Sequence, residues 1–234
     1  MAGEAKDKRT ALLPLLLGFN GGYVDTMGFL ALQGLFTAHV TGNFVTLGAS
    51  LALGTSGALS KLLALPVFCV VVVLSRLLSH ALRSRELPVF RSLLAIKLVL
   101  LIAAAILAVR LGPFPDGDHL AAIVTGMTLV SAMAVQNAAQ RVHLASLPPS
   151  TLMTGTTTQI MLDLADLIHG SSAQDTAASR ARLKRMSVMV AVFALGCGVA
   201  ALLHVQIGVW SFALPPIVAL ASLAIRESAS SATP

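Results

Sequence analysis

A chain of 234 residues that is 56% hydrophobic and only 11% charged, with a mean hydropathy of +0.85, has too little polar surface to cover a soluble domain of its size. Its net charge of +6 does not signal nucleic acid, because the basic residues cluster between apolar stretches and do not line one polar face. The class is an integral membrane protein whose partner is the lipid bilayer. Cys69 and Cys197, inside apolar stretches without CxxC spacing, read as packing residues.

Residues 1–10 are short, charged and polar, with Lys6, Lys8 and Arg9 ahead of the first apolar stretch, 12–32. That stretch is too long for a secretory signal and lacks a small-residue cleavage site, so it is expected to be retained as a first span. Asp25 lies about fourteen residues into it, too deep to reach the inner face. A carboxyl in hydrocarbon costs several kcal/mol, which makes Asp25 a functional-site candidate; its plainer role is to partner the hydroxyls of a nearby loop.

Residues 34–40 are too interrupted to begin a helix well. Thr41-Gly42-Asn43 is a better start, with Thr41 or Asn43 as cap and with Gly48 and Ala49 suited to close packing. His39, just before it, is a candidate proton relay. Stretch 40–53 is only about long enough to cross half of a 30 Å core as helix. Full spans are expected at 62–82 and 93–111, with Lys97, about one and a half turns inside, snorkelling to the interface. Gly112–Asp118 is acidic and turn-rich.

Span 120–141 follows and carries Gln136, Asn137, Gln140 and Arg141 in adjoining i,i+4 rows. Pro148-Pro149 forbids helix, and the second short stretch, 153–168, opens with Thr154-Gly155-Thr156-Thr157-Thr158-Gln159. Asp163 within it is expected to meet Arg141 or the basic connection Arg180, Arg182, Lys184 and Arg185. Two last spans are read at 187–206 and 209–225, the latter short and carrying Pro215-Pro216.

The charges decide how the short stretches run. If both re-enter, the connections holding Arg83 to Arg91 and Arg180 to Arg185 lie on the same inner side; if both cross, those connections fall on opposite sides, against the Lys/Arg bias. Re-entry also leaves three crossings per half, so two copies would have inverted topology. The sequence echoes this: Val24-Asp25 then Thr41-Gly42-Asn43 returns as Val135-Gln136 then Thr154-Gly155-Thr156, with Thr154-Gly155 113 positions after Thr41-Gly42. The expected fold is an all-α polytopic membrane protein with six transmembrane helices, two re-entrant half-helices and an inverted internal duplication. Its parts are a cytoplasmic N-terminus at 1–10, repeats at 11–115 and 116–226, and a cytoplasmic tail at 227–234.

Half-helix N-termini deep in a membrane offer unpaired N–H groups to an anion. The expected function is therefore a secondary transporter or channel for a small anionic or carboxylate-bearing solute held between the two Thr-Gly starts. Asp25, His39, Thr41, Gly42, Asn43, Gln136, Asn137, Thr154, Gly155 and Thr156 are the candidate binding residues. Two rivals stand beside it: an intramembrane enzyme using Asp25 and His39 as acid and base, and a non-transporting scaffold or lipid-binding protein. No enzymatic triad, glycine-rich phosphate loop, cofactor motif or metal-ligand spacing is present, and a homo-oligomer stays open.

The run Gly18-Phe19-Asn20-Gly21-Gly22-Tyr23-Val24-Asp25-Thr26-Met27-Gly28-Phe29-Leu30, followed by Gly34-Leu35-Phe36-Thr37-Ala38-His39-Val40-Thr41-Gly42-Asn43, closely resembles the opening of the YoaK-like family of bacterial inner-membrane proteins. Gln136-Asn137-Ala138 with Thr154-Gly155-Thr156-Thr157-Thr158 is similar to that family's second signature. The resemblance implies a multi-span protein of the bacterial inner membrane and supplies no substrate.

Overall fold

The computed structural model describes residues 2–151, 153–170 and 173–230, with side chains over 12–151, 153–170 and 176–225. Of the expected tail, 231–234 lie outside the described residues. The described chain is all-helical: α1 Ala2–Ala31, α2 Gly42–Leu53, α3 Ala58–Arg83, α4 Val89–Leu111, α5 Leu120–His143, α6 Met153–His169, α7 Ala173–Ile207, a 3-10 turn Gly208–Ala213 and α8 Leu214–Ser230.

Among the described residues, four segments are long and apolar enough to cross a membrane: α3, α4, α5 and the stretch Thr176–Ile225. The last is 50 residues, about 75 Å if it were one helix. Gly208, at φ +54, opens the 3-10 turn that folds it into α7 and α8. Residues 209–213 of the last expected span thus belong to the turn, and Pro215-Pro216 falls in the first turn of α8, where a missing N–H leaves no bond unmade. α1 is not among the four. Asn20, Gly21, Gly22 and Asp25 interrupt its apolar run, and Asn20, Tyr23 and Val24 are fully buried against neighbouring helices.

α1 packs against α5, α7 and α8. α7 is parallel to α1, since Gly18 faces Met189 while Gly22 faces Phe193 and Cys197. A Cβ on Gly22 would overlap the Phe193 carbonyl, and one on Gly196 the Phe19 carbonyl, so these two glycines set the helix spacing. α5 is antiparallel: Gln136 Nε2 donates to Leu17 O at 3.0 Å, and Gly126 faces Leu35. α8 is antiparallel too, with Tyr23 OH donating to Ser211 O at 2.8 Å and Asn20 Nδ2 to Pro215 O at 3.3 Å. α3 and α4 pack on α5 as α7 and α8 pack on α1, and α4 also meets α8.

Val70, Val73, Leu74 and Leu77 on α3, Ile106 on α4 and Leu202 and Val205 on α7 are exposed apolar side chains, the surface that lipid covers. Two expectations are corrected. Lys97 does not snorkel: it is 1% exposed on a helix that packs against α5 and α8, and its ammonium has no hydrogen-bond partner among the described residues. Gly48 meets nothing within 4 Å, so it is not a packing contact.

Candidate functional site

Both short helices are reached through loops that double back along α1. Loop 32–41 leaves the end of α1 and returns to the depth of Asp25, where Thr37 Oγ1 donates to Val24 O at 3.1 Å. α2 then carries the chain back until Gly57 lies against the Gln33 carbonyl, at the end where the loop began. There Asp118 accepts from the backbone N–H groups of Gly57, Ala58, Leu59 and Ser60 and so caps α3. From the other end, the loop after α5 brings Ser150 and Thr151 beside Gly21. α6 follows, and α7 starts at the end where α5 finished, because α7 is parallel and α5 antiparallel to α1.

Each loop is held by a polar side chain of the preceding helix. Asp25 Oδ1 accepts from the N–H groups of Thr37 (2.8 Å), Ala38 (2.8 Å) and His39 (3.2 Å). Three converging backbone donors form an anion-binding concavity, and here the anion is the chain's own carboxylate. In the second loop the holders are neutral. Gln140 Oε1 accepts from Ser150 N at 3.0 Å and Gln140 Nε2 donates to Pro148 O at 2.8 Å, while Gln136 Nε2 donates to Ser150 Oγ at 2.9 Å. Thr151 Oγ1 donates to Asn137 Oδ1 at 2.7 Å.

The two loops meet at a cavity of about 430 Å³. α1 contributes Asp25, Thr26 and Phe29; the first loop contributes Phe36 and His39; the second loop and α6 contribute Thr151, Met153, Thr154 and Gly155; α7 contributes Phe193 and Cys197. Asp25 is only 6% exposed, so its carboxylate reaches this space from inside the protein. The His39 ring stacks near Phe36 at 5.8 Å between centroids. Gly155 leaves open space where a Cβ would stand.

Of the ten sequence candidates, Asp25, His39, Thr154 and Gly155 line the cavity. Gln136 and Asn137 stand behind the second loop and hold it. Asn43 clasps the backbone of Phe36, with Phe36 N donating to Oδ1 at 2.9 Å and Nδ2 donating to Phe36 O at 2.7 Å. Gly42 sits under the Phe36 ring, Thr41 is exposed away from the cavity wall, and Thr156 is 3% exposed behind it. The start of α2 is at Gly42, as its sequence suggests, yet neither Thr41 nor Asn43 caps it by side chain. Its first N–H groups are taken within the turn: Gly42 to His39 O at 2.9 Å, Asn43 to Val40 O at 3.1 Å and Phe44 to Thr41 O at 3.2 Å.

The other cavity residues, Thr26, Phe29, Phe36, Thr151, Met153, Phe193 and Cys197, were not among the sequence candidates, and Cys197 was read there as a packing residue. The sequence signal for the α7 pair was Gly22 on α1 and Gly196 on α7, two small-residue sites at which the backbones of α1 and α7 approach each other. Asp163 meets the basic connection, not Arg141: its carboxylate takes Arg182 Nε at 2.8 Å and Gln159 Nε2 at 2.8 Å.

No curated protein and no solved structure matches this chain. The family model described as a protein of unknown function, DUF1275, matches residues 13–225, which include both loops and every cavity residue; the chain belongs to that family.

Proposed function

We propose that this protein is a six-span secondary transporter or channel of the YoaK-like type in a bacterial inner membrane, moving a small carboxylate-bearing solute through the cavity between its two loops. The observation that carries the reading is that two interrupted segments enter from opposite ends of the bundle and meet at one space in its middle. Discontinuous helices that meet at mid-depth are how transporters build substrate and ion sites.

The packing supports a duplicated origin. Exchanging α1–α4 with α5–α8 maps the α1–α7 contact onto α5–α3, α1–α8 onto α5–α4, α2–α3 onto α6–α7, and leaves α4–α8 and α1–α5 unchanged. Because α1 and α5 run in opposite directions, the exchange inverts the topology, as alternating access by an inverted repeat requires. α1 then counts as a span in spite of its polar residues, which face protein.

The chemistry of the solute follows from what the cavity has free. The donors of the first loop are engaged by Asp25, so the anionic end of a solute is placed at the first turn of α6, where Gly155 leaves backbone access. Asp25, on the opposite wall, suits a cationic or hydrogen-donating end. A small amino-acid-like molecule satisfies both.

The test is a thermal-shift screen of small carboxylates and amino acids on purified protein, followed by flux in proteoliposomes. Gly155→Leu fills open space without a clash, so it is expected to keep the fold and abolish both the ligand shift and the flux. If a ligand identified in the screen stabilises Gly155→Leu as it stabilises the natural protein, the cavity is not the binding site.

A further inference from the structure

Three phenylalanines line the cavity at Asp25: Phe29 of α1, Phe36 of the first loop and Phe193 of α7. Among the described residues that line it, Asp25 brings the one carboxylate. Phe29 and Phe36 stand 5.1 Å apart between ring centroids with their planes tilted at 41°, so they form a corner and not a stack. The position of Phe36 is fixed by its neighbours. Asn43 clasps its backbone N–H and carbonyl, and Gly42 lies against its ring, where a Cβ would stand 3.0 Å from a ring carbon. Phe29 is 41% exposed, an apolar ring with a bare face.

Asp25 adds its charge to the same space. The three backbone N–H groups that it accepts all land on Oδ1, which leaves the lone pairs of Oδ2 to a ligand. A carboxylate beside aromatic faces attracts a cation, and the kind of cation follows from what the rings lack. A primary ammonium carries three N–H donors and a guanidinium five, each costly to strip of water without an acceptor, and a phenyl ring has no lone pair to offer. A quaternary ammonium has no N–H to satisfy. Its charge is spread over apolar methyl groups, so it matches an aromatic face in both charge and polarity.

We infer that the cationic end of the solute is a quaternary, N-methylated ammonium seated among Phe29, Phe36 and Phe193 with Asp25 as its counter-charge, so that the solute is a betaine-class zwitterion. This rests on the reading of the cavity as a solute site, and it narrows the amino-acid-like solute of that reading to one whose ammonium brings no N–H. A desolvated cation over an aromatic face gains about ten-fold in binding per ring.

The experiment is isothermal titration of the full chain in detergent with glycine, N,N-dimethylglycine, glycine betaine and choline. The Kd of glycine betaine is expected to lie about ten-fold or more below that of glycine, with dimethylglycine between them. Phe36→Leu and Phe29→Leu should each weaken glycine betaine about ten-fold and leave glycine unchanged, because Leu keeps the apolar contact and removes the aromatic face. Phe29→Leu alters a partly exposed ring, so it keeps the test decisive if Phe36→Leu does not fold. Glycine binding that Gly155→Leu abolishes, with glycine betaine no tighter, overturns this inference and leaves the cavity reading standing, as does a glycine betaine Kd indifferent to Phe29→Leu. If no carboxylate or amino acid binds at all, both fall. Choline bound as tightly as glycine betaine keeps the aromatic site and removes the carboxylate half of the earlier reading.

Discussion

At the residue scale, Asp25 is an anion bound by the chain itself. A lone carboxyl in an apolar run was visible in the sequence because charge is rare there; its partners were not, because they are backbone N–H groups, which no side-chain pattern reveals. The same blindness hid the clasp of Asn43 on Phe36. An Asn side chain can accept in place of the carboxylate, though without charge assistance, whereas Ala leaves three donors unpaired at about 1 kcal/mol or more each. Asp25→Asn is expected to fold with a modest loss of stability, and Asp25→Ala to free the first loop. Hydrogen exchange at Thr37, Ala38 and His39 measures this, and unchanged protection in Asp25→Ala would mean that other contacts hold the loop. Lys97 makes the opposite case. Its depth, about one and a half turns in, suggested an escape to the interface, but it is buried on a helix that packs against α5 and α8. An unpartnered buried ammonium destabilises, so Lys97→Met should raise the thermal midpoint by a few degrees, about 1 kcal/mol or more. A lowered midpoint would show that the ammonium has an ionic partner in the membrane-embedded protein.

At the scale of elements, the short helices were legible for physical reasons that the sequence carries openly. Stretches 40–53 and 153–168 are too short to span, and Pro148-Pro149 stops helix ahead of the second. Their starts appear at Gly42 and Met153. The break between α7 and α8 was legible in the sequence at 207–208, where Gly208 takes its positive φ; the 3-10 course of the residues after it was not, because they are as apolar as a span. The cap on α3 was not legible at all, since its acceptor comes from a loop about 60 positions away. Asp118 holds four N–H groups there, and with them the end of the first loop unit. Asp118→Ala is expected to cost about 2 kcal/mol, the upper range for losing an N-cap, and to loosen the contact between Gly57 and Gln33. Asp118→Asn should recover part of that. Thermal melts of the three proteins in one detergent check the order, and an Asp118→Ala protein as stable as the natural one would remove this lock from the account.

At the scale of the whole molecule, the sequence hinted at the matching contacts of the two halves only through Val24-Asp25 and Val135-Gln136, because helix contacts depend on side-chain size and shape at many positions and not on one shared motif. In both halves a helix reaches out a polar side chain to hold a returning loop, a carboxylate in the first and Gln136 and Gln140 in the second. A change of charge at Asp25 therefore acts on the first loop and not on the second. For this to serve transport, the two loops must open to opposite faces of the membrane, and that is a statement about topology. Thr55, at the end of α2, and Ala178, near the start of α7, are both exposed, and the helix directions put them at opposite ends of the bundle. In a chain whose Cys69 and Cys197 are replaced by Ala, Thr55→Cys should react with a membrane-impermeant thiol reagent only from the outer face. Ala178→Cys should react only after the membrane is opened, since the basic residues from Arg180 to Arg185 keep that end inside. Reaction of both from the same face would mean that the halves are not inverted in the bilayer, and the reading of a shared, alternately exposed cavity would fall with it.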